Sequence, residues 1–153
     1  MWRKTMTATL LAGAAVLALA GAAQAKTDSL GWPIRSAMNG KCLDVYRANP
    51  SNGALIVAWD CNGGANQRWY WNGGTLVSSL NGKCLDIYGA DPSNGARVVT
   101  WDCNGGANQR WYKSGSTIRS SLNGKCLDIY NRNPNNGASV VVWDCNGGSN
   151  QNW

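Results

Sequence analysis

An aspartate, a tryptophan and an asparagine–glutamine pair recur three times in this chain at a constant interval of 42 residues. Asp44, Asp86 and Asp128 each end the phrase Asn-Gly-Lys-Cys-Leu-Asp. Trp59, Trp101 and Trp143 each open Trp-Asp-Cys-Asn-Gly-Gly, and Asn66-Gln67, Asn108-Gln109 and Asn150-Gln151 each open Asn-Gln-x-Trp. A carboxylate accepts hydrogen bonds, an amide both donates and accepts, and an indole offers a flat apolar face. That set recognises a ligand; it does not break bonds. Catalysis would need a nucleophile with its base, or two carboxyls held at different pKa values. The chain has no histidine and no glutamate. The pair Asp44 and Asp60 could be read as a glycosidase dyad. It recurs in identical context in every copy, and three equal active sites in one small domain are not expected. A calcium loop over Asp60-Cys61-Asn62 lacks the third acidic position and the closing glutamate. The expectation is therefore a non-enzymatic protein without cofactor or metal.

A period of 42 residues belongs to stacked or radial repeat architectures. Within one copy, Asn39-Gly40 between two strand-like runs is a hairpin signal. Turn residues recur at Pro50-Ser51-Asn52-Gly53 and Asn62-Gly63-Gly64. Strands are expected over about 34–37, 41–46, 55–59 and 67–71, twelve in all, with no helical apolar period. Alternation assigns faces. Position 55 is Leu, Arg or Ser across the copies, whereas position 56 stays Ile or Val. Leu55, Val57 and Trp59 are therefore expected outward, with Ala54, Ile56 and Ala58 inward. The same logic turns Leu43 and Val45 inward and Asp44 and Tyr46 outward. Trp69, Trp111 and Trp153 are expected in the core, since large aromatics are mostly buried.

Residues 1–25 read as a signal peptide: Arg3 and Lys4, an apolar run, then Ala23-Gln24-Ala25 as a cleavage site. The apolar run is shorter than the roughly 20 residues of a membrane span. A secreted chain beginning at Lys26 is expected, with a lead segment over 26–33. Without Arg3 and Lys4, twelve basic residues face eight aspartates, a net charge of +4. They are scattered singly, unlike a nucleic-acid footprint. In an oxidising compartment six cysteines imply disulfides. Threefold symmetry allows pairing within copies or from each copy to the next. Pairing within copies, Cys42–Cys61, Cys84–Cys103 and Cys126–Cys145, staples every unit and is the expected arrangement.

Cys-Leu-Asp, Trp-Asp-Cys and Asn-Gln-x-Trp recurring in order three times resemble the ricin B-type (R-type, Gln-x-Trp) lectins over about 34–153. The resemblance implies an all-β β-trefoil with pseudo-threefold symmetry and repeats of about 34–75, 76–117 and 118–153, the last strand cut short at Trp153. Either residues 26–32 cover the open edge or the sequence is part of a longer protein. The resemblance also implies roles. Asp44, Asp86 and Asp128 accept bonds from sugar hydroxyls, and Trp59, Trp101 and Trp143 stack on the sugar. Asn66, Asn108 and Asn150 reach a hydroxyl, and Gln67, Gln109 and Gln151 support the site. Tyr46, Tyr88 and Tyr130 are possible further contacts. Such lectins often carry a glutamine where this chain has Val57, Val99 and Val141, so one polar contact is absent from each site. The third site is expected to contribute least, because its supporting strand ends at Trp153. Three functions follow in order. The first is a secreted lectin with up to three sites for a polysaccharide or glycan. The others are a protein-interaction trefoil with vestigial sites and the binding module of a larger glycosidase.

Overall fold

The computed structural model describes residues 31–153; the leader over 1–25 and the Lys26 start lie outside the described residues. Eleven strands join into one curled sheet. In chain order they are β1 (Trp32–Pro33), β2 (Cys42–Val45), β3 (Ala54–Trp59), β4 (Arg68–Asn72), β5 (Thr75–Ser78), β6 (Cys84–Ile87), β7 (Ala96–Trp101), β8 (Trp111–Ser114), β9 (Thr117–Ser120), β10 (Cys126–Ile129) and β11 (Ala138–Trp143). A single 3-10 turn follows β2, β6 and β10, and another precedes each Gln-x-Trp tryptophan.

Pseudo-threefold symmetry is visible in the pairing itself. Strands β3, β7 and β11 each pair antiparallel with both of the others, through Leu55↔Val99, Val141↔Arg97 and Ser139↔Val57. Each is also the hairpin partner of its own copy's Cys-Leu-Asp strand, with Asp44 opposite Val57 and Val45 opposite Ile56. This register puts Leu43, Val45, Ile56 and Ala58 inward, as alternation demands. With Leu85, Ile87, Val98, Leu127, Val140 and the indoles of Trp69 and Trp111 they make the core.

The first expected strand lies elsewhere. Residues 37–39 form the hairpin turn, so only an isolated bridge, Arg35 with Cys42, remains of the pairing expected there. The preceding strand is Trp32–Pro33, whose Trp32 pairs with Trp69 of β4. Its proline lacks an N–H, which a sheet tolerates at an edge. Residues 32 and 33 therefore belong to the fold, not to a lead segment. They do not cover the open edge of the third copy. There Ala37 donates its N–H to the carbonyl of Asn152 at 2.9 Å, and Trp153 donates to Ser116 at 2.8 Å. These bonds repeat Ser79 to Arg68 and Trp111 to Gly74 in the other copies.

Disulfides link Cys42–Cys61, Cys84–Cys103 and Cys126–Cys145, all within copies. Each closes a short loop, contributing about 3 kcal/mol through the unfolded chain. The copies are also tied to one another. Lys41 pairs with Asp60 at 2.6 Å, and Asn136 of the third copy donates to Asp60 while accepting from its N–H. Asn52 meets Asp102, and Asn94 meets Asp144, in the same way. Asp60 is thus the anchor of a clamp between copies. Lys41 and then Asn136 hold its carboxyl below the usual aspartate range.

Candidate functional site

The outer face of each hairpin carries one shallow cavity. In the first copy it measures about 300 Å³ and is lined by Asp44, Tyr46, Arg47, Ala48, Trp59, Asn62 and Asn66. The second measures about 400 Å³ over Asp86, Tyr88, Trp101, Asn104 and Asn108. The third measures about 310 Å³ over Asp128, Tyr130, Arg132, Trp143, Asn146 and Asn150. Such volumes lie at the small end for ligand sites, of about 300–1,000 Å³.

Asp44 defines the floor. The sequence reading had it exposed, but only 3% of its surface is accessible. The face was right and the depth wrong, because the turn at Tyr46–Ala48 and the 3-10 turn at Ala65–Gln67 rise on either side of it. Val57, also expected outward, is buried at 4% across from Asp44. Asp86 and Asp128 are buried alike, with Val99 and Val141 across from them on the paired strands.

Gln67 fixes that carboxylate. Its Nε2 donates to Asp44 at 2.7 Å and to the Asp60 carbonyl at 2.9 Å, while its Oε1 accepts the N–H of Asn62 at 2.8 Å. Every polar atom of this buried amide is thereby used, which is what burial requires. Asn66 donates to the other oxygen of Asp44 at 3.2 Å. The set repeats at Gln109–Asp86–Asn108 and Gln151–Asp128–Asn150. Burial raises the pKa of all three aspartates, and the bonds from Gln and then Asn partly offset this. Gly64 leaves room for Asn66: a Cβ there would lie 2.5 Å from its Oδ1.

Two aromatic rings form the walls. Tyr46 and Trp59 face each other as a tilted pair with centroids 6.1 Å apart; the other copies match at 6.1 and 6.0 Å. The tryptophans are half-buried, with ring faces open to the cavity. Each is braced by the neighbouring copy. Gly137 has a left-handed backbone, and a Cβ added there would lie 3.6 Å from the Trp59 ring; Gly53 serves Trp101 and Gly95 serves Trp143 likewise.

The lip of each cavity is strained. Arg47 and Ala48 have φ of 57° and 50°, Ala90 has 52°, and Asn131 and Arg132 have 54° and 52°. A left-handed conformation costs a residue with a Cβ on the order of 1 kcal/mol. Only Gly89 occupies it freely.

A family profile described as "Ricin-type beta-trefoil lectin domain" matches residues 32–153. The chain belongs to the ricin-type β-trefoil lectin family. It is accordingly a carbohydrate-binding domain. Among solved structures, a designed threefold-symmetric protein, ThreeFoil, is 35% identical with a TM-score of 0.73, over 78% of this chain and 92% of that one. The C-half of an earthworm R-type lectin, solved in complex with GalNAc, is 31% identical with a TM-score of 0.69 over the same shares. The exo-β-1,3-galactanase 1,3Gal43A from Clostridium thermocellum is 30% identical with a TM-score of 0.73, over 79% of this chain but 28% of the enzyme.

Within this lectin fold, Asp, Trp, Asn and Tyr from each copy line one cavity, while Gln stands behind and orients Asp. The third cavity has the same Asp, Tyr, Trp and Asn lining as the others. Its strands β10 and β11 and its Gln turn match those of the other copies, while its Gln-x-Trp tryptophan, Trp153, is half-buried where Trp69 and Trp111 are buried. Two contributions escaped the sequence reading. Asn62, Asn104 and Asn146 line the cavities, although they read as turn residues; their signal was identity in all three copies. Residues 47–48 and their counterparts form the lip, and their variation between copies hid them.

Proposed function

We propose that this protein is a secreted lectin that holds one sugar ring in each of its three cavities and acts multivalently on a glycan or polysaccharide. The observation that carries this reading is the buried aspartate facing an open indole and phenol pair, repeated three times. A pyranose has a face of C–H groups and a rim of hydroxyls. Trp59, Trp101 and Trp143 supply the stacking surface, with Tyr46, Tyr88 and Tyr130 as second walls. Asp44, Asp86 and Asp128 accept hydroxyl protons, and a charged acceptor makes the stronger bond. Asn66, Asn108 and Asn150 offer a carbonyl oxygen to a further hydroxyl. The buried Oδ1 of Asn150 has no hydrogen-bond partner in the protein, which leaves it free for that role.

The test is a glycan array probed with and without a chelator. Binding that persists with chelator, and without hydrolysis of the bound glycan, is the expected result. Absence of binding to any glycan would favour an interaction trefoil, and release of reducing ends an enzyme. Secretion is supported by the leader pattern alone, and N-terminal sequencing of exported protein should read from Lys26.

A pH dependence follows from the raised aspartates. Protonating Asp44 removes the acceptor, so affinity should fall on acidification at a higher pH than ordinary aspartates would give. Stability moves the opposite way for these groups. A carboxyl raised by folding favours the native state most below its unfolded pKa, and that advantage is lost as pH rises through the folded value. Binding should therefore weaken while the fold holds. Calorimetric titrations alongside circular dichroism would show this. Affinity unchanged down to the ordinary aspartate range would refute the role given to the carboxylates.

A further inference from the structure

Among the positions at which the three copies differ, three each place one arginine beside a cavity. Position 47 is Arg where the other copies have Gly89 and Asn131; the Arg47 guanidinium sits 5.0 Å over the Tyr46 ring, at the lip of the first cavity. Position 132 is Arg where the others have Ala48 and Ala90; Arg132 lines the third cavity. There it lies over Gly148, close enough that a Cβ on that glycine would be 2.7 Å from its Nη2. Asn150 beneath is buried, whereas Asn66 and Asn108 are half-buried. The second copy has small residues at both lip positions, Gly89 and Ala90. Its arginine comes instead from the strand, at Arg97, where the others have Leu55 and Ser139. Arg97 sits 5.5 Å over the Tyr88 ring. It also lines a cavity of about 300 Å³ that adjoins the second one, shares Tyr88 and Trp101 with it, and is floored by Val99 and edged by Leu55.

We infer that the glycan this lectin recognises is acidic, each arginine pairing with a carboxylate or sulfate on the sugar or on its neighbour in the chain. The inference rests on the lectin reading and sharpens it. The carboxylate of each cavity is held by the neutral amides of Asn and Gln and not by the arginine, and of the three guanidiniums only that of Arg132 acts on its own site's carboxylate, Asp128. No salt bridge to Arg47, Arg97 or Arg132 occurs among the described residues. Asp102, the carboxylate near the Arg97 groove, is taken by Lys83 and Asn52. A guanidinium resting on an aromatic ring is held in place, and its planar fork suits carboxylate and sulfate oxygens. Placing the charge at non-equivalent positions keeps one per site without repeating one sequence.

Matched oligosaccharide pairs on an array test this. Each pair holds one glycan bearing a uronate carboxylate or a sulfate ester and the same glycan with the carboxyl reduced or the sulfate removed. Acidic members should bind the wild-type protein about three- to tenfold tighter, the range of a partly exposed charge-assisted pair. The uronate and sulfate arms show which anion is preferred. Arg47→Gly, Arg97→Ser and Arg132→Ala together should close that gap, read as the ratio between the two members of each pair within the same variant, and each substitution installs a residue another copy already carries. Removing Arg35, Arg110 and Arg119 instead lowers the net charge equally and should leave the gap open. Neutral glycans binding as tightly as acidic ones would overturn the inference alone. A gap that closes equally with the second set would also overturn it, as bulk charge. Failure of the wild-type protein to bind either member of any pair would remove the lectin reading and this inference with it.

Discussion

Replacing Trp69 with alanine should destabilise the protein by about 3–5 kcal/mol, the range for deleting a large aromatic from a core. Two structural facts put it at the upper end. The ring is 2% exposed, and its Nε1 donates to the Leu43 carbonyl at 3.0 Å. Removing it leaves both a cavity and a buried acceptor without its donor, and the orphaned acceptor adds its own cost. Total stabilities of about 5–15 kcal/mol make this a large fraction. The melting temperature should drop by about 10–20 °C, measured by calorimetry or circular dichroism. Trp111→Ala should match, since its ring donates to Leu85 at 2.9 Å under the same burial. Trp153→Ala should cost less, because that ring keeps the bond to Leu127 but is only half-buried. Equal melting temperatures for Trp69→Ala and wild type would contradict the core assignment.

Trp59, Trp101 and Trp143 should behave in the opposite sense. Each Trp→Ala should leave the melting temperature nearly unchanged and weaken its own site by about 1–3 kcal/mol, the loss of a stacking face and its area. Binding to an immobilised polysaccharide should fall stepwise as platforms are removed, with the triple variant losing most of it, because linked weak sites reinforce one another. The three single variants should be similar, since the tyrosine–tryptophan geometry repeats within 0.1 Å in centroid distance. If all three unfold as Trp69→Ala does and none selectively loses glycan, these rings are structural and the platform role falls.

The outward face of Trp59, Trp101 and Trp143 was legible from alternation and from comparing copies, and the burial of Trp69 and Trp111 from the tendency of large aromatics to be inside. Trp153, expected in the core with them, is only half-buried. The disulfides were legible too, since the constant repeat made a staple within each unit the natural pairing. Depth was not legible. Alternation says which face of a strand Asp44 occupies, but what closes over that face comes from the lip at Tyr46–Ala48 and the turn carrying Asn66, distant in sequence. The lip itself left almost no signal. Consecutive left-handed residues are usually announced by glycine, and only Gly89 does so here; Arg47 and Arg132 adopt the conformation against their preference. The first strand was misplaced: it falls at Trp32–Pro33, an edge position that accepts a proline. The clamp at Asp60 was not legible either. Its partners Lys41 and Asn136 are 19 and 76 residues away, and the second reaches it only because the repeats close into a ring.

That ring also decides the shape of any assembly the lectin makes. Sites related by a threefold axis face three directions, so one straight polysaccharide cannot lie in all of them at once. If each cavity holds a sugar as proposed, the protein filled at all three would be a junction between separate chains. A junction of two only lengthens what it joins; a junction of three is the smallest that branches. Mixed with a soluble multivalent glycan near matched stoichiometry, this small domain should therefore turn a solution into a precipitate or gel, and an excess of either component should dissolve it again.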